Sequence, residues 1–180
     1  MERSVTSDRK ITIVQGEFRV SADPAVLLST VLGSCVTVCL HDPVKKVGGM
    51  NHFLLPSGQV GDNGGSMRYG LFAMETLINA LMKEGSKKAH LQAKLFGGAR
   101  ISTELRDIGQ ANAAFARDFL ATEGIACLAE SLGGRNARRV LYRPATGHAS
   151  MLLVPFDDAP LAVAPVVKPL SRQAGEIELF

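Results

Sequence analysis

"LGSCVTVCLHDPVKKVGGMNHFLLP", Leu32 to Pro56, is the stretch on which the reading of the fold turns. Val36, Val38 and Leu40 alternate with Cys35, Thr37 and Cys39, the period-2 pattern of a strand with two different faces. Asp42-Pro43 follows in the order that opens a turn, and Val47 to Leu55 resumes as a second strand, loosened by Gly48-Gly49. A hairpin closed by Asp42 and Lys45 sets Cys35 directly opposite His52 on one face, with Cβ atoms about 4.5–5.5 Å apart. An imidazole so placed can take the proton of a thiol and leave a nucleophilic thiolate. A bulge at Gly48-Gly49 would shift that register by one residue.

The two faces of the first strand differ in character. Val36, Val38 and Leu40 suit a core, whereas Cys35 shares its face with Thr37 and Cys39, which leaves room for an opening to solvent. Gly33 and Ser34 permit a sharp entry into the strand, and backbone N–H groups around Ser34 and Cys35 can hold an oxyanion. The residues alone also admit a bland reading, because free cysteines are commonly buried and a histidine in an apolar run is commonly a satisfied core residue. Cys39 and Cys127 have no base at a predictable position. His41 reads as exposed beside the turn, and structural roles are favoured for His90 and His148.

Outward from the hairpin, short apolar runs alternate with Gly and Pro. Ile11 to Val20 reads as one or two strands broken near Gln15-Gly16, and Val26 to Val31 as another apolar segment. Ser57 to Gly65 is a loop. Leu71, Met74, Leu77, Ile78 and Leu81 recur at helical spacing before Gly85, and a second helix is predicted over Gly109 to Thr122, ended by Gly124. Strands are expected at Ala89–Leu95, Ile125–Ala129, Arg138–Tyr142 and Ser150–Val154. Two helices among these strands predict an α+β fold, with both helices packed on one face of a mixed or antiparallel sheet. The chain divides into a flexible N-terminus (1–10), a single domain (11–154) and a Pro-containing C-terminal tail (155–180), whose Pro155, Pro160, Pro165 and Pro169 are unsuited to a central strand.

Composition narrows the function. With 180 residues, 46% hydrophobic and 21% charged, the chain is that of an ordinary globular domain able to bury a core. No apolar run is long enough to span a bilayer, and the polar start lacks a signal-peptide core, so the cytoplasm is the expected compartment. A net charge of +3, no tryptophan and two tyrosines argue against nucleic acid. Arg135, Arg138, Arg139 and Arg143 read as a solvated strand face. Three cysteines without zinc-type spacing argue against a disulfide scaffold and a structural metal.

The Leu32–Pro56 stretch resembles the signature of the CheD-type chemoreceptor glutamine deamidases. The likeness continues in order through GEFRVSADP (Gly16–Pro24), KLFGGA (Lys94–Ala99), DIGQANAAF (Asp107–Phe115) and LGGRNARRVLYRPATG (Leu132–Gly147). It implies a layered α/β/β sandwich like that of the bacterial toxins that deamidate Rho GTPases. It also implies hydrolysis of receptor glutamine side chains to glutamate through a cysteine thioester, without metal or organic cofactor, and some glutamyl methylesterase activity. Carried over by motif, the nucleophile falls on Cys35 and the histidine on His52. The upstream threonine falls on Thr30, or on Ser29 if the spacing is one longer, with Gly33 and Ser34 supporting the oxyanion.

The same resemblance implies as partners the cytoplasmic helices of methyl-accepting receptors and a CheC-type response-regulator phosphatase, with neither nucleic acid nor membrane insertion. The family often has Arg before the Asn of the IG-x-R-N block; here Ala111 precedes Asn112. Gly97-Gly98 and Gly133-Gly134 read as tight loops. The competing class is a non-catalytic adaptor that binds receptor or phosphatase and keeps the thiol incidentally.

Overall fold

The computed structural model describes residues 8–56, 64–101, 108–155 and 177–180. Among these residues, two five-stranded sheets and two α-helices form three layers. Strands β1 (Arg9–Thr12), β3 (Val26–Leu32), β8 (Ala137–Arg143), β9 (His148–Val154) and β10 (Ile177–Leu179) make an outer sheet in the order β1-β3-β8-β9-β10. Strands β2 (Phe18–Ser21), β5 (Val47–Asn51), β4 (Val36–Asp42), β6 (Gln92–Gly97) and β7 (Ala126–Leu132) make a middle sheet in the order β2-β5-β4-β6-β7. Each sheet is mixed, with one parallel pair: β1 with β3, and β6 with β7. Helices α1 (Gly65–Lys83) and α2 (Ile108–Thr122) cover the other face of the middle sheet. The α+β class and the α/β/β layering are those expected.

Two cores account for the layers. Met74, Leu77, Ile78 and Leu81 of α1, with Phe115, Ala116, Phe119 and Leu120 of α2, bury against Val36, Val38, Leu40 and Leu95. Each helix stops where a left-handed glycine, Gly85 (φ 89°) or Gly124 (φ 69°), lets the next amide turn back onto the last carbonyls. Between the sheets lie Val26, Leu28, Leu32, Val140 and Tyr142 from one side and Cys39, Met50 and Phe96 from the other. The alternation in β4 therefore separates two buried faces. Thr37 and Cys39 are buried between the sheets, which corrects the expected opening to solvent along that face.

The hairpin differs from its expected form. Asp42 pairs with Val47, so the turn contains Pro43 to Lys46, and Lys46 takes a left-handed φ of 54°. The Asp42 carboxylate accepts from the amides of Val44 (2.9 Å) and Lys45 (3.0 Å), which favours this longer turn. The pairing continues without a bulge through Gly48 and Gly49. A Cβ on Gly48 would lie 2.5 Å from the Pro144 carbonyl oxygen, and one on Gly49 would lie 2.8 Å from Leu77 Cδ1. These glycines let the outer sheet and α1 approach β5 from opposite sides.

Other boundaries shift as well. β1 begins at Arg9, inside the segment expected to be flexible, because Arg9 and Lys10 pair with Val26 and Leu27. Ile177–Leu179 pairs with β9, and the Phe180 ring packs edge-on against Phe96, so the end of the expected tail belongs to the sandwich. Most of the Ser57–Gly65 loop lies outside the described residues, and Gly65 opens α1. The arginines do not share one solvated face: Arg138 is buried and donates to Ser131 Oγ, while Arg143 pairs with Asp8.

Candidate active site

The chain leaves the outer sheet at Leu32 and enters the middle sheet at Val36, and Gly33, Ser34 and Cys35 form the crossing. All three carbonyls of this crossing are held. Ala99 N–H donates to Gly33 O (2.8 Å), Asn112 Nδ2 to Ser34 O (3.0 Å) and Gly98 N–H to Cys35 O (2.7 Å). The glycines of the KLFGGA segment make this possible: a Cβ on Gly97, at φ 117°, would lie 2.1 Å from Cys35 O. Among the described residues, the amides of Ser34 and Cys35 have no hydrogen-bond acceptor in another residue. The Cys35 N–H lies against its own sulfur.

His52 follows β5 at the same end of the sandwich and is buried between the sheets. Its N–H donates to Glu17 O (3.0 Å) and its carbonyl accepts from Gly16 N–H (2.7 Å), so the loop joining β1 to β2 fixes its backbone. Its Nδ1 lies 2.9 Å from Thr30 Oγ1 and 3.3 Å from Ile13 O. The Thr30 hydroxyl donates its single proton to Ile13 O at 2.8 Å, so toward His52 it can only accept. The proton therefore resides on Nδ1, and Nε2 keeps its lone pair. Nε2 is buried and, among the described residues, has no hydrogen-bond partner.

That Thr30 rather than Ser29 meets His52 follows from strand parity. Val26, Leu28 and Leu32 point between the sheets, and Thr30 shares their face; Ser29 points the other way. Thr30 and His52 are thus brought together from different sheets.

Cys35 and His52 are neighbours without being bonded. With Val36 bridged to Phe53, the register places Thr37 across from His52 and Cys35 across from Leu54. The expected register was two residues off, so Cys35 and His52 are diagonal partners on the correct face, at about 7–8 Å between backbones and within side-chain reach. The thiol instead points at Gln15 Oε1, 3.7 Å away. Burial pushes the Cys35 thiol above its ordinary 9.0, opposed only by its own N–H, and burial pushes the His52 imidazole below 6.5, opposed by Ile13 O. Both effects favour a neutral thiol beside a neutral imidazole.

Two residues of the site escaped sequence reasoning. Asn112 is fully buried; its Oδ1 accepts from Leu55 N–H (2.7 Å) while its Nδ2 holds Ser34, tying the cysteine crossing to the chain beyond His52. Its place in the DIGQANAAF block was visible, but its partners lie far away in sequence. Gln15 offered only a turn signal beside Gly16, and it reaches Cys35 because β1 runs parallel to β3. Of the remaining candidates, Cys39 is buried, and Cys127 is exposed, its thiol 3.4 Å from Ala129 O. His41 is half-buried rather than exposed and packs against Gly147. A groove of about 480 Å³ lined by Gly98, Arg100, Arg117 and Arg135 runs behind the cysteine crossing and includes neither Cys35 nor His52.

Comparison with known proteins supplies independent findings. Residues 54–152 match a family model described as CheD chemotactic sensory transduction. A protein of Caulobacter sp. (strain K31) named "Probable chemoreceptor glutamine deamidase CheD" is 50% identical over 175 residues, covering 95% of this chain and 93% of its own. Proteins of the same name from Acidiphilium cryptum (strain JF-5) and Rhizobium meliloti (strain 1021) are 49% and 44% identical, each covering 96% of this chain and 94% and 96% of their own. Among solved structures, the Bacillus licheniformis hypothetical protein YfiH superposes with a TM-score of 0.43 at 16% identity, over 72% of this chain and 61% of that one.

Proposed function

The chain belongs to the CheD chemotactic sensory transduction family, and on that premise we propose that it is a cytoplasmic enzyme that hydrolyses glutamine side chains of chemoreceptors to glutamate. Cys35 is the nucleophile, His52 the general base and acid, and Thr30 the residue that orients the imidazole. The observation that carries this reading is the Thr30–His52 hydrogen bond, which leaves Nε2 as an unshared, buried base at the cysteine end of the sandwich.

The steps follow from the neutral resting pair. A substrate carboxamide enters beside Cys35; the thiol turns, and Nε2 takes its proton as sulfur attacks the δ-carbon. The carbonyl oxygen becomes an oxyanion, facing the amides of Ser34 and Cys35 at the Gly33 turn. The imidazolium returns the proton to the amide nitrogen, the C–N bond breaks and ammonia leaves a thioester. Water then gives a proton to Nε2 and attacks the thioester carbon; the C–S bond breaks, glutamate departs and sulfur regains the proton. None of these steps draws on a metal or organic cofactor. A glutamyl methyl ester offers the same carbon with methanol as leaving group, so some methylesterase activity accompanies the reaction. The cytoplasmic helices of receptors are the substrate, and a CheC-type phosphatase is a second partner on this reading.

The test is incubation of the full chain with receptor cytoplasmic fragments, followed by peptide mass spectrometry. Conversion of Gln to Glu by the wild type and its loss in Cys35→Ala is the expected result. Conversion that survives Cys35→Ala rules out this nucleophile, and no conversion by the wild type rules out the activity.

A further inference from the structure

The single polar side-chain contact of the Cys35 thiol among the described residues is a carboxamide, that of Gln15. Gln15 occupies the exposed turn that links β1 to β2, next to Gly16, whose left-handed φ of 88° and hydrogen bond to His52 O fix the turn against the histidine. Its Oε1 lies 3.7 Å from Sγ. A carboxamide approaching the sulfur brings its carbon to about 3–3.5 Å, with the amide nitrogen one bond beyond. The nitrogen of a bound glutamine therefore stands at about the same radius from sulfur as Gln15 Oε1, where an N–H can reach an acceptor at about 2.7–3.2 Å.

We propose that Gln15 is a specificity-determining residue of the deamidation, selecting a primary amide over an ester by accepting a hydrogen bond from the substrate's NH₂. This inference rests on the deamidase reading above. At rest Oε1 accepts from the thiol. Once the thiol proton passes to His52 Nε2, that acceptor is free, and the substrate N–H takes it. A methyl ester has no donor at the corresponding atom and gains nothing from Oε1. Deleting the acceptor penalises the amide and spares the ester, because only the amide loses a hydrogen bond.

The experiment compares the full-length wild type with Gln15→Met and Gln15→Glu on one receptor fragment, carrying either the target glutamine or the glutamyl methyl ester at that position. Ammonia and methanol release are followed separately. Met keeps the length without the acceptor, and Glu keeps the acceptor; at an exposed turn neither disturbs the fold. In Gln15→Met, kcat/KM for the amide is expected to fall about 10–100-fold and that for the ester less than about threefold. Gln15→Glu is expected to recover amide turnover to within about tenfold of wild type. Equal losses on both substrates, or amide turnover in Gln15→Met equal to wild type, overturn the proposal. If the wild type leaves the ester untouched, the Met-against-Glu contrast on the amide decides. A wild type that releases no ammonia instead removes the deamidase reading on which the proposal rests.

Discussion

Thr30 and His52 belong to different sheets and meet at 2.9 Å across the core that holds those sheets together. The bond is directional: Thr30 spends its proton on Ile13 O and therefore accepts from His52. The tautomer of His52 is thus set by a backbone carbonyl two residues from the turn that carries Gln15.

Thr30→Val keeps the shape of the side chain and removes the acceptor, whereas Thr30→Ser keeps it. Deamidation by Thr30→Val is expected to fall about 10–100-fold, with the serine variant within about tenfold of wild type. The loss should appear in kcat rather than KM. Equal activity in wild type and the valine variant would show that the imidazole does not need this hydroxyl.

The resting pair makes pH a second probe. His52, held below 6.5 by burial, takes up its proton at lower pH than a free imidazole, so the acid-side fall of kcat/KM should come below 6.5. The unfolded histidine binds a proton near 6.5 while the folded one does so lower, so this group's contribution to stability declines as pH drops below 6.5. Cys35, held above 9.0, keeps its proton in the fold where the unfolded thiol loses it, so its contribution declines as pH rises past 9.0. Iodoacetamide labelling of Cys35, followed by mass spectrometry against pH, should accordingly rise on the alkaline side of 9.0. A labelling midpoint near neutrality would mean a resting thiolate–imidazolium pair instead, the arrangement expected of a thiol already activated by its base.

Asn112 joins the cysteine crossing to the chain after His52, with both ends of one amide used. Asn112→Ala leaves the Leu55 amide and the Ser34 carbonyl without that partner, and is expected to cost about 1–3 kcal/mol in chemical denaturation. Activity should fall by more than the unfolded fraction explains, because Cys35 and His52 lose their common anchor. A variant with full activity and unchanged stability would contradict that role.

Gly97→Ala tests the support beneath Cys35, the proposed nucleophile. At φ 117° an added Cβ meets Cys35 O at 2.1 Å, so either the loop or the cysteine must move. A cost of about 1–3 kcal/mol and loss of turnover are expected, read by thermal melting and ammonia release. Wild-type behaviour in both assays would count against the described loop geometry.

Much of this was legible from residue pattern, and the reasons differ by element. Helix periodicity and the glycine stops located α1 and α2 because those signals are local. The shared face of Cys35 and His52 survived a turn longer than expected, since a slip of two residues preserves strand parity. What the pattern could not convey was that β4 is buried on both sides, for a strand between two layers looks the same as one facing water when small residues line a face. The roles of Gln15 and Asn112 were equally out of reach, because each depends on a contact between segments that only the fold makes neighbours. Ser29 and Thr30, ambiguous by motif spacing, are separated by which way their Cβ atoms point.

If His52 is the base and Thr30 its orienting hydroxyl, as proposed, their origin in different layers gives the sandwich a mechanical sensitivity. A small shear between the layers, too slight to melt either sheet, lengthens the Thr30–His52 bond and loosens the imidazole. Turnover should therefore fade at denaturant concentrations where the far-ultraviolet signal of the strands is still intact, making enzymatic activity an early gauge of interlayer slip.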